Sequence, residues 1–282
     1  MRCKGIIIFF MTFILSACGI AHGESNKIIE GSAYSEKIID VKGKYNFDIL
    51  CDAANISVYT WKKDNIKFEI TRKVSGTYKK EIIDKKLEKF EIDIKTDDDT
   101  VFLKSRYTGG NRDSCNVIVE YTIYMPKSID NISFKVGKGK IKLLDDIRGT
   151  LNAELDSTDI EINRFDGELN IGGNEGNVKI SSGKISGSSK VIKKVGNISI
   201  MSEFDLNGEY DICTGLGHID LLTAASTKVD FETVGELVKN EFAENGREDT
   251  ITKSEFEHPY NGEKTAKVRV KSDMGKISIG KY

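Results

Sequence analysis

The sequence is poor in proline and has no excess of basic residues. Only two prolines occur among 282 residues, which excludes proline-rich linkers between domains. Lysine and arginine number 42 against 44 aspartate and glutamate residues, so the formal net charge is −2. Proteins that bind nucleic acid usually carry a basic excess, and we therefore predict no nucleic-acid partner.

Motifs for catalysis, metal binding and phosphate binding are also lacking. No Gly-x-Ser-x-Gly elbow occurs, although a Ser-His-Asp site assembled from distant segments stays open. Gly172–Gly173 resembles a phosphate loop only superficially, because no Gly-Lys-Ser/Thr follows it. We predict no catalytic residue, no metal and no cofactor. None of the histidines shows metal-ligand spacing with another: His22, His218 and His258.

A long apolar run occurs only at the N-terminus. Arg2 and Lys4 precede about a dozen apolar residues, the length of a signal-peptide core and too short to span a bilayer. The run ends in Leu-Ser-Ala-Cys18, which resembles the bacterial lipoprotein signal. That resemblance implies that residues 1–17 are removed and that the Cys18 thiol receives diacylglycerol. The alternative is an ordinary secretory signal with a chance cysteine.

Polar residues 18–27 are predicted to be a short tether between this anchor and the folded body. Residues 28–130 are predicted to form N-terminal β coils, because from Ile38 onward apolar and polar side chains alternate with a period of two, as in strands with one buried face. The alternation breaks at residues 79–90, where Ile83, Leu87 and Phe90 have helical spacing. We predict one short helix there. An acidic run at residues 96–100 is predicted to be a hairpin turn rather than a calcium loop, because the spaced ligands and the glycine are missing.

The second half of the chain is repetitive. The element Gly-x-Ile/Val-x-Ile/Leu begins at residues 139, 176, 196, 217 and 275, and a degenerate copy begins at Thr158. A spacing of about twenty residues is typical of a solenoid, whose units bury their apolar faces only by stacking. Two buried rows should result: Ile141, Ile160, Val178, Ile198 and Ile219 in one, and Leu143, Ile162, Ile180, Ile200 and Leu221 in the other.

The predicted fold is therefore all-β, a single β-solenoid of about 20-residue coils with one short N-terminal helix. Residues 131–282 form the repeats, continuous with residues 28–130. The glycine at the head of each copy predicts a tight corner with positive φ. Residues 236–262 are polar and interrupt the pattern, so we interpret them as an excursion or a long loop.

These repeats resemble a known family. Tyr121-Thr-Ile-Tyr-Met-Pro126, the recurring Gly-x-Ile-x-Ile and the terminal Met274-Gly-Lys-Ile-Ser-Ile279 are similar to the bacterial putative-adhesin family of β-strand-repeat domains of unknown function. The resemblance covers roughly residues 38–281. It implies a β-solenoid exported to the cell envelope and supplies no catalytic residues.

Three cysteines remain in the body. Cys51 and Cys115 alternate with apolar residues and should face inward, whereas Cys213 should face outward. An exported compartment permits a Cys51–Cys115 disulfide, and the alternative is two buried thiols packed as small hydrophobic groups.

Two functions are consistent with the sequence. The first is a non-enzymatic protein, lipid-anchored to the outer face of a bacterial membrane, that binds an envelope protein or polysaccharide or acts in envelope-stress sensing. The second is a polysaccharide-active β-helix lyase or hydrolase. The inter-strand turns look too short to build a substrate cleft, which favours the first. The enzyme would use an acidic face, for which the candidates are Asp156, Asp159, Asp205, Asp211 and Asp220.

Overall fold

The computed structural model describes residues 27–110, 115–242 and 264–282. They form one short helix and sixteen strands: β1 Ile29–Asp40, β2 Tyr45–Trp61, β3 Asn65–Gly76, α1 Lys80–Leu87, β4 Phe90–Asp97, β5 Thr100–Tyr107, β6 Cys115–Pro126, β7 Ile129–Glu175, β8 Val178–Ile180, β9 Gly183–Ile185, β10 Ser188–Val195, β11 Ile198–Met201, β12 Glu203–Phe204, β13 Glu209–Leu216, β14 Ile219–Thr223, β15 Val229–Asn240 and β16 Ala266–Lys281.

The all-β prediction is confirmed, with about 77% of the structure in strands. The strands form where apolar and polar side chains alternate. In β6, for example, Val117, Val119 and Tyr121 are buried and the residues between them are not. The predicted helix is confirmed as α1, which buries Ile83 and Leu87. The predicted hairpin is confirmed by the antiparallel pairing of Asp97 in β4 with Thr100 in β5. Within the described ranges, no helix is both long and apolar enough to cross a membrane.

The N-terminal half is a mixed sheet. Strand β3 pairs antiparallel with both β1 and β6, and β6 continues into parallel pairing with the second half of β2. On its other side β2 pairs in parallel with β7. The first half of β2 takes β5 as its parallel neighbour, and β4 lies outside β5. The resulting sheet order is β1-β3-β6-β2-β7.

The strand pairing corrects the predicted fold class. Strands β7, β10, β13, β16, β14, β11 and β8 pair in that order, all in parallel, and β8 pairs back to β7. By this pairing the sheet closes into a seven-stranded parallel β-barrel with the other strands outside it, so the predicted β-solenoid is wrong. The physical reason is strand β7, which runs unbroken for 47 residues and supplies the partners of both β10 and β8.

The predicted rows keep their register within this closed sheet. Ile160 pairs with Val178, Val178 with Ile198, Ile198 with Ile219, and Ile219 with Ile277. All five side chains are buried. Burying such a side chain contributes roughly 1.5–3 kcal/mol relative to exposure, so these rows are a main source of stability.

The glycines at the heads of the copies have the predicted positive φ. Gly196 has φ +145° and Gly217 has φ +153°. A Cβ atom on either glycine would come within 2.1 Å of the carbonyl oxygen of the glycine before it in the stack. Glycine is required there because two backbones touch at each corner.

The interpretation of residues 236–262 is corrected in part. Strand β15, Val229–Asn240, includes the first residues of this segment, 236–240. Its pairing with β16 shifts register between Val234 and Glu236 and between Leu237 and Lys239. The remainder of the segment from residue 243 lies outside the described residues.

Candidate functional site

Two aromatic side chains at the end of β2 point outward. Val58 is fully buried, so Tyr59 and Trp61, at alternate positions, lie on the outer face. On the neighbouring strand β6, Tyr124 lies between the buried Ile123 and Met125 and also points outward. Tyr59 pairs directly with Tyr124 in the parallel register, which brings side chains 65 positions apart into contact.

These three rings form a stack, which we call the aromatic cluster (Tyr59, Trp61 and Tyr124). The centroids of Tyr59 and Tyr124 are 5.4 Å apart with planes 18° from parallel, and those of Trp61 and Tyr124 are 5.4 Å apart with planes at 25°. Rings this close overlap with an offset rather than lie edge to edge. Each such pair contributes about 0.5–1.5 kcal/mol beyond its buried area, so the cluster is held in place before any ligand arrives.

Hydrogen bonds fix the backbone and the indole of this strand end. The Trp61 Nε1–H donates to the carbonyl oxygen of Asn65 at 2.7 Å. The Thr60 N–H donates to the Asp145 carboxylate at 2.8 Å, just beyond the last β2–β7 pair, Val58 and Leu143. The strand end that carries two of the rings is therefore anchored on both sides.

Two lysines lie against the cluster. The Lys63 ammonium is 4.7 Å from the Trp61 ring centroid, and the Lys67 ammonium is 6.0 Å from that of Tyr124. Lys67 also forms ion pairs with Glu69 at 2.7 Å and Glu36 at 3.2 Å. These carboxylates, Glu69 first, raise the pKa of Lys67 above its ordinary value. The lysine stays charged and links the rings to the acidic groups beside them.

A tyrosine and a carboxylate complete this surface on strand β1. The Tyr34 hydroxyl donates to Glu36. Burial, and then this hydrogen bond, raise the pKa of Tyr34 to about 12, while the same bond lowers the pKa of Glu36. The residues on four adjacent strands form one continuous surface, which we call the aromatic face: Tyr34, Glu36, Lys67, Glu69, Tyr124, Tyr59 and Trp61.

The sequence-predicted acidic residues do not converge. Asp156 accepts a hydrogen bond from the Asn174 side chain at 2.5 Å, and Asp205 forms an ion pair with Lys184 at 2.7 Å that lowers its pKa. In the strand register, Asp211 pairs with Lys190 and Arg269, whereas Asp220 pairs with Ser199 and Ser278. No group of three potential metal ligands lies together in the described parts of the chain.

The fifth acidic candidate and His218 belong to a hydrogen-bonded row along one corner of the sheet. The Asp159 carboxylate accepts from the Asn177 N–H at 2.7 Å, and the Asn177 side chain accepts from the Asn197 N–H at 2.9 Å. The Asn197 side chain accepts from the His218 N–H at 2.8 Å, and His218 Nδ1 accepts from the Lys276 N–H at 2.9 Å. These side chains satisfy backbone groups at the corners, which is a structural role.

The cysteines are free thiols in the described structure. Cys51 is buried, and burial raises the pKa of its thiol to about 11. Cys115 is half-buried beside Lys86. The Cys51–Cys115 bridge stays a prediction. Cys213 is half-buried, and burial raises its pKa as well. The predicted signal peptide, the lipidated Cys18, most of the tether, His22 and His258 lie outside the described residues.

The aromatic face is absent from our sequence prediction. A signal was available, because Tyr59, Trp61 and Tyr124 alternate with core residues and therefore had to point outward. Their contact depends on the pairing of β2 with β6, which the local pattern does not specify.

Comparison with known proteins gives structural likenesses alone. No family model and no curated protein matches the sequence. Among solved structures, a putative cell adhesion protein from Clostridium sporogenes is 19% identical with a TM-score of 0.32 and covers 88% of this chain and 100% of its own. A putative adhesin from Bacteroides fragilis is 15% identical with a TM-score of 0.39 and covers 92% and 98%. A putative lipid binding protein from Parabacteroides distasonis is 12% identical with a TM-score of 0.33 and covers 88% and 96%. At this similarity the likenesses assign no function to the chain.

Proposed function

We propose that this chain is an exported, lipid-anchored, non-enzymatic binding protein of the bacterial cell envelope, and that the aromatic face is its binding surface. The leader-like sequence before Cys18 supports export and anchoring. An adhesin-like role, in which the anchored body holds a surface partner, fits such a protein best.

The aromatic cluster is the observation that carries this proposal. Tyrosine and tryptophan supply much of the affinity of protein interfaces because they bring large apolar area at little conformational cost. Three such rings lie half-buried together, and hydrogen bonds fix the end of β2, which carries two of them. A preformed surface of this kind loses little entropy when a partner binds.

The enzyme alternative and the envelope-stress role have no observation of their own. A glycosidase needs two carboxylates that flank one bond, whereas Asp156, Asp159 and Asp205 are engaged in the sheet's own contacts. We therefore retain the binding function alone.

The test compares variants of the immobilised full chain for retention of solubilised bacterial envelope material. Trp61→Ala and Tyr124→Ala should each lower the amount retained by about tenfold, the size expected when a central aromatic contact is truncated. The matched control is Phe102→Ala, because Phe102 is also half-exposed beside a lysine, Lys95 at 5.9 Å, but lies on β5 at the other end of β2. Equal retention by all four proteins would contradict the proposal.

A further inference from the structure

The ligand class follows from the chemistry of the aromatic face, and this step rests on the proposed function. We infer that the aromatic face binds a neutral polysaccharide chain, with sugar rings stacked on the outer faces of Trp61 and Tyr59. A saccharide presents apolar C–H faces and polar hydroxyl edges, so it requires aromatic rings and hydrogen-bonding groups side by side.

The stacking geometry identifies which ring faces are available. Tyr59 and Trp61 each turn one face toward Tyr124, at the same centroid distance of 5.4 Å. Both belong to β2 and lie two residues apart, a rise of roughly 6.6 Å along the strand. That length suits adjacent sugar rings. Since Tyr124 covers the first face of the indole, Lys63 lies over the second face, and as an exposed side chain it can move aside.

Hydrogen-bonding groups for sugar hydroxyls lie beside these rings. Glu36 and Glu69 pair across β1 and β3, and Glu69 pairs across β3 and β6 with Thr122. Thr122 in turn pairs with Ser57, two residues before Tyr59. The row therefore offers carboxylate acceptors and hydroxyl groups that can both donate and accept.

The charges on this surface favour a neutral ligand. Glu36 and Glu69 both form ion pairs with Lys67, so these charges are engaged with one another, and Lys63 lies against the Trp61 ring. A polyuronate or another acidic polymer would have to compete with Glu36 and Glu69 for Lys67. A cationic partner would have to displace Lys67 from two ion pairs.

The single tryptophan makes a direct test possible. Because the chain contains one Trp, its emission reports on Trp61 alone. The full chain in detergent is titrated with soluble glucan, mannan, galactan and xylan, and with polygalacturonate as the acidic comparison. We expect a saturable change in emission with at least one neutral polymer and a response at least tenfold weaker with the acidic one.

Variants assign the response to the site. Tyr59→Ala keeps the reporter and should weaken binding of the neutral polymer by about tenfold, whereas Phe102→Ala should leave it unchanged. No saturable response to any neutral polymer, or equal binding by the Tyr59→Ala protein, would overturn the inference.

Pretreated envelope material separates this inference from the proposed function. If retention depends on Trp61 and is lost after periodate oxidation of glycans, both stand. If retention depends on Trp61 but is lost after protease treatment and survives periodate, the binding function stands and the polysaccharide inference falls. If retention does not depend on Trp61, the proposed binding surface itself is wrong.

Discussion

The amine of Lys193 is buried inside the body, with 1% of the residue exposed. Its Nζ donates to the carbonyl oxygens of Glu175 at 2.8 Å and Leu155 at 3.5 Å. Gly173 pairs with Lys193 on the neighbouring strand and leaves the space that the amine fills. On the other side, Thr214 pairs with Lys193 and donates to the Gly196 carbonyl oxygen at 2.9 Å. A buried donor at this position satisfies corner carbonyl groups, whatever its charge.

Stability should therefore depend on the protonation of Lys193. Burial lowers the pKa of this amine below its ordinary value of 10.5, so in the window between the lowered pKa and 10.5 the unfolded chain binds more protons. The free energy of unfolding then rises with pH through that window, by about 1.4 kcal/mol for each unit of lowering.

Lys193→Met tests this, since methionine fills similar space without a charge. Urea unfolding from pH 7 to pH 10.5 should show the wild-type protein gaining stability relative to the variant as pH rises. The other titrating groups are common to both proteins and cancel in the difference. Parallel stability profiles would contradict a lowered pKa.

Sequence parity alone places Lys193 inward, two residues after the buried Val191, yet a lysine in a basic stretch is normally assigned to the surface. The space for it comes from Gly173, which is adjacent only through the β7–β10 register. The aromatic cluster is limited in the same way. The alternation of residues predicts that its three rings point outward, but not that the rings of β2 and β6 contact each other.

At the scale of elements, inward and outward positions of one strand should differ sharply in tolerance. In β8, Ile180 is buried between Ile162 and Ile200, and Lys179 is exposed. Ile180→Asp buries a carboxylate in the row and should cost several kcal/mol, whereas Lys179→Asp should cost less than about 1 kcal/mol. Chemical denaturation of the two variants gives the comparison. Similar losses would show that the assigned faces are wrong.

The corner glycines provide a second contrast. At Gly196, alanine would adopt φ +145° and place its Cβ 2.1 Å from the Gly176 carbonyl oxygen. Gly196→Ala should therefore cost at least about 1–3 kcal/mol. Gly172 is the control, because a Cβ there meets nothing within 4 Å. A thermal melt of both variants decides the matter, and an equal loss in melting temperature would contradict a special role for the corner.

The sequence pattern predicts which buried side chains stack in rows better than it predicts that the sheet closes into a barrel. The spacing of the repeats predicted that Ile160, Val178, Ile198 and Ile219 stack, and the register confirms it. It also predicted short strands in each copy, with a tight corner at the glycine that heads it, Gly139 for example. The chain instead keeps its pairing through Gly139, Gly149 and Gly167, all with positive φ, so β7 stays continuous. The closed ring depends on that continuity and on pairings between distant strands.

At the scale of the whole molecule, the start of the described body and the aromatic cluster lie toward opposite ends of β1. Strand β1 begins at Ile29, soon after the tether, and Ile38 pairs with Lys67 beside the aromatic cluster. Nine residues of extended strand separate the two by roughly 30 Å. The aromatic cluster therefore lies toward the end of β1 that is far from Ile29, where the proposed tether joins the body.

The anchor itself is tested at Cys18. A single acyl chain gives marginal membrane binding, whereas two chains give a stable anchor, so the diacylglycerol implied by the lipoprotein signal would suffice. The net charge of −2 offers no attraction to anionic lipids in its place. The wild-type protein should incorporate radiolabelled palmitate and partition into detergent. Cys18→Ser should abolish labelling and leave the precursor uncut or released, while a Cys213→Ser control should behave as wild type. If the Cys18→Ser protein labels and fractionates like the wild type, the attachment lies elsewhere, and the orientation of the aromatic face relative to the membrane has to be derived from that other site.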